Sequence, residues 1–169
     1  MSIESKVLGQ QVAYPTDYCP SILVPVPRSL NREIYDIHTP EELFLGFDTW
    51  HAYEAGFLAR NGLPVCGVLK LVYPANSPCI VESKSLKLYL NSLNMTRLGE
   101  DIPSGIETYL QTVKSDLEQI LQTCVEATFF RQAPEKTYFD FQDYTLLEAI
   151  PGIERETFTE YNENPALLE

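Results

Sequence analysis

The segment from Tyr53 to Tyr73 most narrows what this chain can fold into. Tyr53, Ala55, Phe57 and Ala59 alternate along one face, Arg60-Asn61-Gly62-Leu63-Pro64 breaks the run, and Val65, Leu69, Leu71 and Tyr73 resume it. Alternation with a period of two puts successive side chains on opposite faces of a strand, and Asn-Gly is the strongest short signal for a hairpin turn. The reading is an antiparallel hairpin of two long strands.

Beyond the hairpin the period changes. In Val81–Leu98, "VESKSLKLYLNSLNMTRL", Leu86, Leu90 and Leu93 recur four and three residues apart, which is helical. Lys84, Lys87, Asn91 and Asn94 share another face of the same helix. A second helix carries Ile106, Tyr109, Leu110, Val113, Leu117, Ile120 and Leu121 as one apolar stripe. Ser104 and Glu107 have the spacing of a capping box at its start, with Pro103 just before the cap. Two more strands are read in "CVEATFFR" and, after "QAPEK", in "TYFDFQDYTLLEAI" (137–150). Strands paired locally and helices grouped between them predict an α+β fold, an antiparallel sheet with two helices on one face, in the order strand-strand-helix-helix-strand-strand. Residues 1–47, rich in proline and turn formers, read as an extended arm; Pro25 and Pro27 argue against a helix or a central strand there. Residues 48–150 form the folded module, and the acidic 151–169 reads as a linker.

Composition narrows the function. Twelve basic against 24 acidic residues give a formal net charge of −12, which argues against direct nucleic-acid or anionic-membrane binding. No stretch is long and apolar enough to span a membrane and the N-terminus lacks the apolar core of a signal peptide, so a cytoplasmic protein is expected. Cys19, Cys66, Cys79 and Cys124 are scattered without a CxxC pair, and neither His38 nor His51 lies near one, so neither a disulfide framework nor a metal site is expected.

Against that acidic background the Val81–Leu98 stretch is locally basic: Lys84, Lys87 and Arg97 occur with no acid between Lys84 and Arg97. The lysine face is either a solvated helix surface or an anion site at a helix start suited to a phosphorylated ligand. Glu82 is either an acidic residue placed favourably at a helix N-terminus or a ligand carboxylate able to take two N–H groups of a guanine-like base edge. There is no glycine-rich phosphate loop; Cys79 lies three residues before Glu82, yet "SPCIVES" supplies no histidine and no obvious proton donor, so it does not read as a nucleophile.

"ESKSLKLYLNSLNMTR", Glu82–Arg97, resembles the signature of the NADPH-dependent 7-cyano-7-deazaguanine reductases, the QueF-type nitrile reductases of queuosine biosynthesis, a tRNA-modification pathway. "PVPRSLNR" (25–32) is similar to the N-terminal arm of their two-module subfamily, and "WHAYEAGFLARNGLPV" (50–65) to its first hairpin. The resemblance implies a tunnelling fold (T-fold): a four-stranded antiparallel sheet with two helices inserted after the second strand. It implies reduction of a nitrile to a primary amine with two hydrides from NADPH, through a covalent thioimide on a cysteine. By position it makes Val81, Glu82 and Ser83 substrate contacts, and Ser83 and Lys84 NADPH contacts. In the two-module subfamily the nucleophile sits in the second half, in a Cys-Pro-x-Thr-x-Gln-Pro-Asp-like segment. Here Cys19-Pro20 continues as "SILVPV", so no catalytic residue is expected in this chain. The resemblance thus makes it the N-terminal module of such a reductase, inactive alone, associating through T-fold contacts into a homo-oligomer; 151–169 would lead towards a second module. Two alternatives stand beside it: a non-catalytic T-fold that binds a purine-like ligand or a partner T-fold, and a T-fold enzyme of the pterin or purine type.

Overall fold

The computed structural model describes residues 15–33, 35–38, 45–132 and 144–159. The chain divides into two units, Met1–Pro134 and Glu135–Glu169.

The first unit is built on the long hairpin. Strand β2 (Phe47–Leu58) pairs antiparallel with β3 (Pro64–Pro74), and β3 pairs antiparallel with β5 (Glu126–Phe130), giving a sheet ordered β2-β3-β5. Two short strands, β1 (Pro25–Pro27) and β4 (Cys79–Val81), form a separate antiparallel pair. Prolines at both ends of β1 suit a strand with only one partner, because a proline cannot donate to a ladder. Helices α2 (Ser83–Ser92) and α3 (Ile102–Leu121) follow β4, and a short helix, α1 (Ser29–Glu33), lies in the arm. The α+β class and the two helices between the hairpin and β5 are as the sequence predicts.

The turn departs from the two-residue form that Asn-Gly suggests. Gly62 N–H donates to the Ala59 carbonyl, Ala59 N–H to the Leu63 carbonyl, and Asn61 Oδ1 accepts from Leu63 N–H. Only Gly62 takes positive φ, at 87°, so this is a longer loop with one glycine in the left-handed region.

The hairpin's alternation also breaks in one place. The β2–β3 register shifts between Ala52 and Ala55. Trp50 and Ala52 pack on the core before the shift, and Ala55, Phe57 and Ala59 are buried after it. Tyr53, which strict alternation assigns to the same face as Ala55, is instead 77 % exposed. A β-bulge puts two residues opposite one and re-aims the side chains around it.

Helix α3 buries Tyr109, Val113, Leu117 and Leu121 completely, as its stripe predicts. Its start lies earlier than the sequence reading. Asp101 is the N-cap, its Oδ1 accepting from Ser104 N–H at 2.9 Å while Ser104 Oγ accepts from Asp101 N–H at 3.1 Å. Pro103 therefore sits inside the first turn, where a missing N–H costs nothing, and Glu107 plays no part in the cap. Both capping-box spacings fit the sequence, and the one whose extended N-cap precedes Pro103 wins.

The strand read in residues 137–150 divides. Residues 137–143 lie outside the described residues; in the second unit, Leu147–Ala149 form a 3-10 turn closed by Ala149 N–H to Leu146 O and Ile150 N–H to Leu147 O. Adjacent Leu146 and Leu147, both exposed, do not keep strand alternation, and Pro151-Gly152 comes at once after Ile150. Ile153–Arg155 makes a second such turn. The described sheet thus has three strands.

Candidate functional site

The basic stretch of the sequence becomes β4, α2 and the loop after it. Glu82 is the N-cap of α2: its two carboxylate oxygens accept separately from Lys84 N–H at 2.9 Å and Ser85 N–H at 2.6 Å. This satisfies two of the donors that a helix start leaves unpaired and sets a negative charge at the positive end of the helix dipole. Ser83 is exposed, and Glu82 and Lys84 are half-buried. Val81 is only 2 % exposed, so its side chain belongs to the core and any ligand contact it makes is through its backbone. The four residues singled out in the sequence therefore fall within one turn, with three of them reaching the surface.

Neither the apolar nor the lysine face of α2 accounts for its remaining side. Ser85, Tyr89 and Ser92 share a third face and are all buried, beneath the N-terminal arm. Val24 N–H donates to Ser85 Oγ at 3.1 Å, and Glu82 N–H donates back to the Val24 carbonyl at 3.0 Å. Further along, Cys19 N–H donates to Ser92 Oγ at 3.1 Å. Tyr18 and Tyr89 both donate their hydroxyls to Asp116 Oδ2, at 2.7 and 2.6 Å, joining arm, α2 and α3. Burial and the facing carboxylate push the Tyr18 phenol up to about 12, and Tyr89, more deeply buried, higher still. Two serines seven residues apart with a tyrosine between them are the sequence signal for this docking, legible only once the arm is known to pass there. At the far end of the arm, Arg28 pairs with Asp48 of β2 and donates to the Ser77 carbonyl at 3.0 Å.

A cleft of about 340 Å³ opens beside the helix start, between β2 and α2. Its walls include Trp50, His51, Tyr53 and Ser83, with Leu86 and Leu90 below. Lys87 Nζ and Glu54 Oε2 face each other at 3.9 Å, both exposed, so this ion pair contributes little to stability. Trp50 Nε1 donates to Tyr73 Oη at 2.8 Å, and Val81 N–H approaches the same oxygen at 3.4 Å, which links the cleft wall to β4. Burial is the chief reason Tyr73 holds its proton above the usual phenol range.

Among the described residues, no cysteine thiol is hydrogen-bonded to an acid or a base. Cys19 Sγ lies 3.3 Å from Ser21 Oγ, and Cys66 and Cys124 are exposed. Cys79 and His38 border one cleft, and His38 Nε2 lies 2.6 Å from Asp36 Oδ1, yet among the described residues no hydrogen bond joins the thiol to the imidazole.

Residues 14–129 match the family model described as nitrile reductase, 7-cyano-7-deazaguanine reductase, N-terminal. The chain belongs to this family. Among curated relatives, the NADPH-dependent 7-cyano-7-deazaguanine reductase of Acinetobacter baumannii (strain ATCC 17978) is 39 % identical over 131 residues, covering 78 % of this chain and 46 % of the relative. That of Psychrobacter cryohalolentis is 41 % identical over 131 residues, covering 77 % and 44 %. That of Xanthomonas campestris pv. campestris (strain 8004) is 45 % identical over 111 residues, covering 64 % and 41 %. The chain thus spans less than half the length of the nitrile reductases it matches. The matched region takes in the arm from residue 14 onward, the hairpin, β4, both long helices and nearly all of β5.

Proposed function

We propose that this chain is the N-terminal module of an NADPH-dependent nitrile reductase that converts 7-cyano-7-deazaguanine to 7-aminomethyl-7-deazaguanine for queuosine biosynthesis, and that it supplies substrate and cofactor contacts rather than the nucleophile. Family membership supports this, and the observation that carries it to residues is the gathering of Glu82, Ser83 and Lys84 at the first turn of α2. Glu82 is held by two backbone N–H groups, and each carboxylate oxygen keeps a further lone pair for the N–H groups of a guanine-like edge. An exposed serine hydroxyl followed by a lysine at a helix start suits a phosphate-bearing cofactor. NADPH, when bound, supplies hydride; Ser83 and Lys84 hold it, and Glu82 orients the base. On this reading the thiol that adds to the nitrile is supplied by the second module of the reductase. A T-fold with a fourth antiparallel strand, assembled into a homo-oligomer, completes the proposal.

The direct test mixes the chain with 7-cyano-7-deazaguanine and NADPH and tracks the nicotinamide absorbance. No turnover is expected from the chain alone, and turnover when the C-terminal part of a relative is added; robust turnover alone would overturn the division of labour. Calorimetry on Lys84→Ala should show cofactor affinity falling more than substrate affinity, and equal losses would reduce Lys84 to a folding role. Substrate binding with no activity in any combination would favour the alternative of a non-catalytic binding module.

A further inference from the structure

The two long helices open on the same spacing, but only α3 closes its own cap. There Ser104 Oγ accepts from Asp101 N–H at 3.1 Å and donates to Asp101 Oδ1 at 2.6 Å. In α2, Glu82 and Ser85 stand at the equivalent positions, the N-cap and the third helical residue. The serine is nevertheless turned away from the carboxylate. Ser85 Oγ donates to the Glu82 carbonyl oxygen at 2.8 Å and accepts from Val24 N–H at 3.1 Å. Glu82 N–H, the donor that a capping box satisfies from within the helix, goes instead to the Val24 carbonyl at 3.0 Å. Val24 of the arm thus does for α2 what Ser104 does for α3.

The consequence falls on the carboxylate. Asp101 Oδ1 is engaged by a hydroxyl as well as by the Ser104 N–H. Among the described residues, each oxygen of Glu82 receives one backbone N–H and no hydroxyl. Ser85 is 1 % exposed, so its own hydroxyl does not meet a ligand in solvent. Leaving a buried donor or acceptor unmet is expensive, which holds Ser85 to the arm. The arm is fixed on both sides of Val24, by the pairing of Pro25–Pro27 with Cys79–Val81 and by the bonds of Tyr18 and Cys19 to Asp116 and Ser92. We propose that the arm is a positioning strap for Glu82 and that Ser85 is the positioning residue through which it acts. By taking up the Ser85 hydroxyl and the Glu82 N–H, Val24 fixes the backbone of the N-cap and leaves the outer lone pairs of the carboxylate open. The inference rests on the ligand role proposed for Glu82.

Three variants test the strap. Ser85→Ala removes the hydroxyl, Ser85→Thr keeps it, and Val24→Pro removes the arm's N–H while leaving its carbonyl. Leu23, with φ −59° and ψ 129°, already has the extended backbone that a following proline requires. In the free chain, the chemical shift and hydrogen exchange of the Lys84 amide report its bond to the Glu82 carboxylate by NMR. Calorimetry then reads binding of 7-cyano-7-deazaguanine and of NADPH, and urea denaturation checks that each variant is folded. In Ser85→Ala and Val24→Pro the Lys84 amide should shift and exchange faster. Affinity for 7-cyano-7-deazaguanine should fall about three- to tenfold, the size of one neutral hydrogen bond, with NADPH affinity changing less. Ser85→Thr should restore both readouts. If Ser85→Ala does not fold, Val24→Pro carries the same test. A folded variant with an unchanged Lys84 amide or unchanged substrate affinity would overturn the strap and leave the role of Glu82 standing. Absence of binding by the unaltered chain, or normal binding by Glu82→Gln, would remove the ligand role of Glu82 and the strap with it.

Discussion

At the scale of single residues, the capping role of Glu82 and the ligand role proposed for it can be separated by chemistry. As N-cap it satisfies Lys84 and Ser85 N–H groups, and as ligand carboxylate it needs a full negative charge and its outer lone pairs. Glu82→Ala should cost about 1 kcal/mol in stability, the usual value of a lost cap, and abolish substrate binding. Glu82→Gln keeps a carbonyl acceptor for the helix but adds N–H donors that meet donors on the base edge. It should therefore lose less stability than Glu82→Ala and nearly as much substrate affinity. Urea denaturation and substrate calorimetry read the two quantities; a glutamine variant with normal substrate affinity would leave Glu82 only its helix-capping role.

Among elements, the crossing of α3 with the sheet depends on small residues. A Cβ on Gly105 would stand 2.6 Å from a ring carbon of Phe57 and 2.8 Å from the Leu98 carbonyl oxygen. Gly99, at φ 67°, leads the chain into the helix so closely that its own Cβ would meet the Gly105 nitrogen at 2.2 Å. Helix propensity alone favours Gly105→Ala by about 1 kcal/mol. Overpacking costs roughly 1–3 kcal/mol, and one of the atoms in the way is backbone that cannot rotate aside. Net destabilisation of about 1 kcal/mol or more is expected by chemical denaturation, with the midpoint moving down. A stabilised variant would show that the helix can shift outward freely.

Considering the first unit as a whole, the tyrosine cluster couples the arm to both long helices and makes stability sensitive to alkali. Tyr18 is raised from the usual 10.0 to about 12, by burial first and then by Asp116, and Tyr89 is raised further. The unfolded chain gives up these protons near pH 10 while the folded chain keeps them. The contribution is therefore fully present below about pH 10 and is lost as pH rises through the folded values. Urea denaturation between about pH 8 and 11 should show stability level at first and then falling, with a shallower fall in Tyr89→Phe. An unchanged slope in that variant would remove Tyr89 from the linkage.

Much of this was legible in the amino-acid order because it depends on neighbours along the chain. The period of two in the hairpin, the period near 3.6 in α2 and α3, and the turn chemistry at Gly62 are local, and the motif from Glu82 to Arg97 marked the family. Other features needed partners distant in sequence. The arm's bonds to Ser85, Ser92 and Asp116 span separations that no periodicity records. The bulge that turns Tyr53 outward arises from register against β3, whereas alternation within β2 alone assigned it inward. Sequence by itself determined the hairpin, the two long helices and β5, and the short stretch that marks the family. Tertiary structure decided which faces are covered and where a cleft remains, because burial is settled by what packs opposite a residue.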